Sequence, residues 1–287
     1  MSYLSALRRS AGPVAACVAL FLAAPSAASA GDDPPARARA RRAGKKVSPA
    51  VTDAMNRLVG GDVADAVRAA SLLGGDRSAA SLQALIDGLS TGLHPEVAAA
   101  ALEALAKRRS ASALPVLELY ARHRSSAVRV RALAAIAALD DRRADRLLIA
   151  ALRDGDREVR AAAAQGLAAR NARAGVEPLM ALLVKGDEAA ALALAALADT
   201  EVARAVAETI GRAPDAAVAR CLGAILSRPT FKPDSARLEV VRALGRVPGD
   251  EALEELTHYV GSIPERPPRA SRAEAEKLID ARLTGVK

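Results

Sequence analysis

The chain has 287 residues, with 41 Lys and Arg against 33 Asp and Glu, a formal charge of +8. It is 51% hydrophobic but only 2% aromatic, with no Trp and two Cys. Two Cys exclude a dense disulfide scaffold. The scarcity of large side chains argues against one compact core and for stacked repeats, each burying its face against the next.

The N-terminus opens with the basic stretch MSYLSALRRSAG, continues with the apolar run PVAACVALFLAA, and reaches Ala28-Ser29-Ala30. This layout predicts a cleavable signal peptide over 1–30 and a protein exported to the periplasm or beyond. The apolar run from Ala11 to Ala24 is 14 residues, short of the ~20 that span a bilayer. Lipid anchoring through Cys17 is disfavoured, because most of the apolar run follows that Cys instead of preceding it. Arg8-Arg9 is a poor twin-arginine signal in its context. Residues 31–48, GDDPPARARARRAGKKVS, hold six basic and two acidic residues and no large apolar residue before Val47. They predict a disordered basic spacer, with weak attraction to anionic surfaces as its other use.

Beyond the spacer one pattern recurs. The stretch GDREVRAAAAQGLAAR (155–170) reads as a helix: Asp156 as N-cap, Glu158 in the first turn, then alanines. Thirty-one residues earlier stands SSAVRVRALAAIAAL, and thirty-one before that HPEVAAAALEALAK. Val97, Val128 and Val159 align. Four residues on come Ala101, Ala132 and Ala163, and eight on come Leu105, Ile136 and Leu167. Looser copies begin at Gly61, Gly186, Ala213 and Pro233. Between them lie leucine-rich first helices over 81–89, 113–123, 144–154 and 175–186. No run alternates as a strand does. A fixed period near 31 is a repeat signal and predicts an all-α solenoid of six to seven helical pairs over 49–262.

After Pro229 and Pro233 the register shortens. Helices are predicted over 235–247 and 250–261. The break SIPERPPRA precedes a charged helix over 271–283. That helix is expected to cap the solenoid's end, the alternative being a docking helix on a flexible joint.

Asp156, Val159, Arg160, Ala163, Ala164 and Leu167, with Pro178-Leu179 following, resemble the HEAT-repeat family, in its short alanine-rich bacterial form. The resemblance implies that the second helices line the concave face. It also implies a ladder between the Asp before each second helix and the Arg just inside it. Only the Asp156/Arg160 copy holds both; the earlier copies have Ser at the Asp position or Ala at the Arg position. Some relatives of these repeats are bilin lyases, so an enzyme of that kind is one implied alternative. Two further alternatives do not rest on the resemblance: a permanent structural or assembly component of an envelope complex, and a metal-dependent enzyme.

No Walker loop, Gly-x-Ser-x-Gly or Cys-x-x-Cys is found. His94, His123 and His258 are far apart, and Glu254 with His258 reads as a solvated helix face before it reads as a metal site. Cys221 is expected to pack as a small apolar residue. Residues 49–262 hold 27 basic and 27 acidic side chains, so a nucleic-acid cradle is not expected. A local basic patch is possible around Lys107-Arg108-Arg109 and Arg122-Arg124-Arg129-Arg131. The function predicted is a non-catalytic scaffold without cofactor or metal that binds a protein partner. Glu103, Arg129, Arg131 and Gln165 are its candidate contact residues.

Overall fold

The computed structural model describes residues 47–285. The signal-peptide reading, Cys17 and the spacer up to residue 46 lie outside the described residues. Val47 and Ser48 belong to the compact unit that follows, and the Ser48 hydroxyl caps the first helix by accepting from the N–H of Val51.

Fifteen α-helices follow, and no strand is present among the described residues. They are α1 (Pro49–Gly60), α2 (Val63–Gly75), α3 (Ala79–Thr91), α4 (Pro95–Arg108), α5 (Leu114–Tyr120), α6 (Ser126–Ala137), α7 (Arg143–Ala151) and α8 (Arg157–Ala169). The second half comprises α9 (Val176–Leu183), α10 (Glu188–Leu197), α11 (Thr200–Ala207), α12 (Asp215–Ser227), α13 (Asp234–Arg246), α14 (Asp250–Ser262) and α15 (Ala270–Leu283). Seven helix pairs are thus closed by a single last helix, an α-solenoid. Three first helices end earlier than their leucine pattern suggests, and one of them, 144–154, becomes α7 and stops at Ala151. The stretch 113–123 becomes a 3-10 turn, Ala111–Ala113, and then α5; 175–186 becomes Arg173–Gly175 and then α9. Pro115 and Pro178, which lack an N–H, stand in the first turn of α5 and α9, where that loss is tolerated.

The Val, Ala and Leu positions of the repeat form the buried stripe. Val97, Val128 and Val159, Ala101, Ala132 and Ala163, and Leu105, Ile136 and Leu167 are all buried. Asp156 caps α8, its Oδ1 accepting from the N–H groups of Glu158 (2.8 Å) and Val159 (3.3 Å). Asp62 and Asp187 cap α2 and α10 in the same way.

The even-numbered helices α2 to α14 lie closely side by side. Alanine at the contact leaves room for this approach. Where α2 meets α4 even alanine is too large, since a Cβ on Gly74 would stand 2.6 Å from that of Ala104. The odd-numbered helices from α5 to α11 scarcely meet one another. A stack tight on one layer and open on the other bends toward the tight layer, so the even helices form its inner curve. From α11 through α13 to α15 the odd layer closes up again, and the bend relaxes.

Arginines fasten successive repeats. Near the starts of the even helices, Arg129 grips Asp154 with two bonds of 2.8 and 2.9 Å, and Arg160 reaches Asp187 at 3.3 Å. Each also donates to two carbonyls of the turn before its own helix. The ladder is thus two rungs long. Arg160 pairs as the family pattern implies, with the N-cap Asp one repeat on. Arg129 pairs with Asp154, two residues short of Asp156. At the far ends of α8, α12 and α15 lies a second series. Arg170 donates to the carbonyls of Ala137 and Asp141 at 3.2 and 2.9 Å. Arg228 does so to Ala195 and Ala198, and Arg282 to Gly245 and Gly249. These carbonyls end or follow the even helix, or α13 for Arg282, in the preceding pair. Carbonyls at a helix C-terminus have few donors within the helix, and the guanidinium opposes the negative end of the dipole.

The last helix is the solenoid's cap. The Ser271 hydroxyl, fully buried, lies 2.7 Å from the Tyr259 hydroxyl and donates to the Asp234 carboxylate. This joins α15 to α14 and α13. The Arg237 guanidinium stands 5.9 Å from the Tyr259 ring centre. The opposite side of α15 exposes Glu276, Lys277 and Asp280, a polar surface that resists end-to-end stacking.

Leu167→Ala is expected to cost roughly 2–5 kcal/mol, from lost burial and a cavity, and to broaden the melt as the two halves uncouple. Exposed Gln165→Ala is expected to change stability by under about 0.5 kcal/mol. Thermal melts of both variants check the helix phase; equal losses would show it to be wrong.

Candidate protein-binding face

On an even helix, the side opposite the buried stripe points into the inner curve. Glu103 on α4 and Gln165 on α8 lie six residues after the Val position, and Arg131 on α6 lies three after it. All three are exposed. Glu103 and Arg131 face each other across neighbouring helices at 3.6 Å. Gln165 makes no side-chain hydrogen bond with any other described residue, so its amide can offer a donor and an acceptor to a partner.

Arg129 belongs elsewhere. Its side chain is only 16% exposed, and its guanidinium is committed to Asp154 and to the carbonyls of His123 and Arg124. The structure therefore makes it an inter-repeat fastener and not a contact residue. Burial alone would raise the Asp154 carboxyl; the hydrogen bonds from Arg129 and from the N–H of Asp156 outweigh that and hold it below its ordinary value.

Much of the expected basic patch is engaged by neighbouring groups. Arg108 donates to the Ser78 carbonyl, Arg109 to the Ala138 carbonyl, and Arg122 pairs with Glu118. His123 is not the end of a helix. It lies in the turn after α5, stacked on Tyr120 at 6.0 Å, and its Nδ1 accepts from the N–H of Ser125.

The inner face has further residues that sequence reasoning missed. Glu188 on α10 takes ion pairs from both sides, from Arg157 of α8 at 2.9 Å and from Arg220 of α12 at 2.8 Å. Beside them Leu192 stands 53% exposed over a floor of Ala161, Ala168, Ala189 and Ala193. The repeat does contain a signal for it. Ala190, Leu194 and Ala198 are buried with the spacing of the stripe, so Leu192, two after Ala190, falls on the open side. Arg170 has a signal as well: Val97 and Val159 are each followed eleven residues later by Arg.

Cys221 is fully buried in α12, and burial pushes its thiol up to about 12. Glu254 and His258 are both exposed on α14. Among the described residues, no three His, Cys, Asp or Glu stand together as a metal-binding group, and no helix is long and apolar enough to cross a membrane.

The family model of HEAT repeats matches residues 82–168. The same helix pair continues on both sides of that segment, and the described residues together form an α-solenoid. Among solved structures, it is similar to the complex of CpcE and CpcF of phycocyanin lyase from Nostoc sp. PCC7120. That match has 18% identity, covers 90% of this chain and 99% of that one, and has a TM-score of 0.45. It is also similar to an engineered protein, at 22% identity over 83% of this chain and 98% of that one, with a TM-score of 0.38. No curated protein matches.

Arg129→Ala is expected to destabilise by about 1–3 kcal/mol, since charge-assisted bonds to a partly buried partner are lost. The Glu103→Ala/Arg131→Ala double variant is expected to change stability by under about 1 kcal/mol, as solvent-exposed pairs do; denaturant titration separates the two. In the native protein at pH 8, Cys221 is expected to stay unmodified by a thiol reagent, because a thiol with a raised pKa holds almost no thiolate there. Rapid labelling before unfolding would contradict its burial.

Proposed function

We propose that this chain is an exported, non-catalytic scaffold that holds a protein partner against the inner face of its even helices. The observation that carries this reading is the make-up of that face. An alanine floor allows close approach, Leu192 offers an apolar anchor, and Gln165 supplies unused hydrogen-bonding groups beside it. Glu103 with Arg131, and Glu188 with its two arginines, add charged groups at a polar rim. An exposed apolar side chain ringed by polar groups is the usual anatomy of a binding surface. HEAT repeats point to protein partners. Export rests on the N-terminal sequence alone: its basic start, apolar run and Ala28-Ser29-Ala30.

Two measurements test the reading. N-terminal sequencing of the periplasmic or extracellular protein is expected to begin at Gly31, and a mature chain retaining residues 1–30 would overturn export. Capture of partner from native envelope extract by the mature protein is expected to fall about tenfold or more with Leu192→Glu, the effect of removing a central anchor. Unchanged capture by a folded Leu192→Glu variant would remove the inner face as the binding surface.

A further inference from the structure

A second surface runs along the turns that join odd to even helices. Two adjoining grooves open there, one between α5 and α7 and one between α7 and α9. They exist because the odd helices splay apart on the outside of the bend. The first is floored by Leu147, Ala150 and Ala151, the second by Ile149, Leu152 and Leu182.

The charges around these grooves divide in two. Every carboxylate lining them already has an arginine: Glu118 has Arg122, Asp154 has Arg129, Asp187 has Arg160, and Glu188 has Arg157 and Arg220. Three exposed cations have no ion-pair partner among the described residues: Arg124, Arg153 and Lys185. They stand in three successive turns. Arg124 borders the first groove, Lys185 the second, and Arg153 lines both. The edge therefore presents one free positive charge per repeat, separated by apolar troughs.

We propose that this edge binds an extended acidic protein segment. Neighbouring helices in a stack lie about 8–10 Å apart, which sets the spacing of the three cations. A segment in the polyproline II conformation has three residues per turn and rises about 3.1 Å per residue, so carboxylates at every third residue share one face and match that spacing. The apolar side chains between them project to either side of that row and reach the two troughs. The apolar floors favour such a segment over a polyanion whose backbone carries only charge. This surface meets the inner face at Arg157 and Glu188, but its three free cations lie outside that face and the proposal does not depend on the one made for it.

The probe is a synthetic peptide of five Glu-Pro-Val repeats, in which proline favours that conformation, labelled and titrated with the full mature protein by fluorescence anisotropy. A peptide of the same composition with its five Glu in one block is the control for net charge. The periodic peptide is expected to bind more tightly than the block peptide and to weaken as salt is raised. The Arg124→Glu/Arg153→Glu/Lys185→Glu variant is expected to lose about tenfold or more of that affinity, the combined effect of three exposed charge contacts. Its circular dichroism melt is expected to be unchanged, since all three side chains are exposed. Each single reversal, tested alone, is expected to weaken binding by a smaller factor. Equal binding of the two peptides, an unaffected triple variant, or tighter binding of heparin or single-stranded DNA than of the periodic peptide would overturn the proposal.

Discussion

The close approach of the even helices is the constraint on which the rest of the structure depends. It requires a small side chain wherever one even helix crosses the next. Alanine at the fourth position after each Val meets that need, and Gly74 meets it where α2 and α4 come closest. The odd helices carry larger leucines and stay apart through the middle of the array. The difference in width between the layers is the bend. The bend in turn creates both surfaces discussed above: an inner face with an alanine floor, and outer grooves between splayed helices.

A layer of alanines buries little area per residue, and hydrophobic stabilisation scales with buried area. The arginines supply a second kind of cohesion. Those at the beginnings of α6 and α8 bind carboxylates and turn carbonyls. Those at the ends of α8, α12 and α15 bind carbonyls one helix pair back. Each satisfies polar groups that a helix leaves unpaired at its ends, and each does so between neighbouring repeats. This explains how a chain rich in arginine keeps a balanced solenoid: many of its cations are structural fasteners. Those with no such task stand out for that reason, and Arg124, Arg153 and Lys185 are three of them.

The C-terminal end is held by chemistry that differs from the repeats. Tyr259, Ser271 and Asp234 form a buried chain of hydroxyls ending on a carboxylate. A buried polar group is costly unless paired, and here each is paired across a different helix. The network therefore fixes where α15 sits. With α15 in place, the leucines and valines of the last pair are covered and a charged surface faces outward.

The sequence by itself determined the helices, the period and the buried stripe. Local propensity, N-capping by Asp156 and the 31-residue recurrence all act within one repeat or between identical ones, so they can be read without knowing the fold. The phase of Leu167 against Gln165 follows from 3.6 residues per turn, and this placed Glu103, Arg131 and Gln165 on the open side. Tertiary structure alone decided the fate of the charges. Arg129 and Arg131 are two residues apart, yet one is sequestered by Asp154 of the next turn and the other reaches Glu103 of the previous even helix. The Arg170 contacts with carbonyls of the preceding repeat were equally hidden. A guanidinium on a long side chain can meet partners many residues away, and only the stacking of one helix pair on the next determines which partner lies within reach.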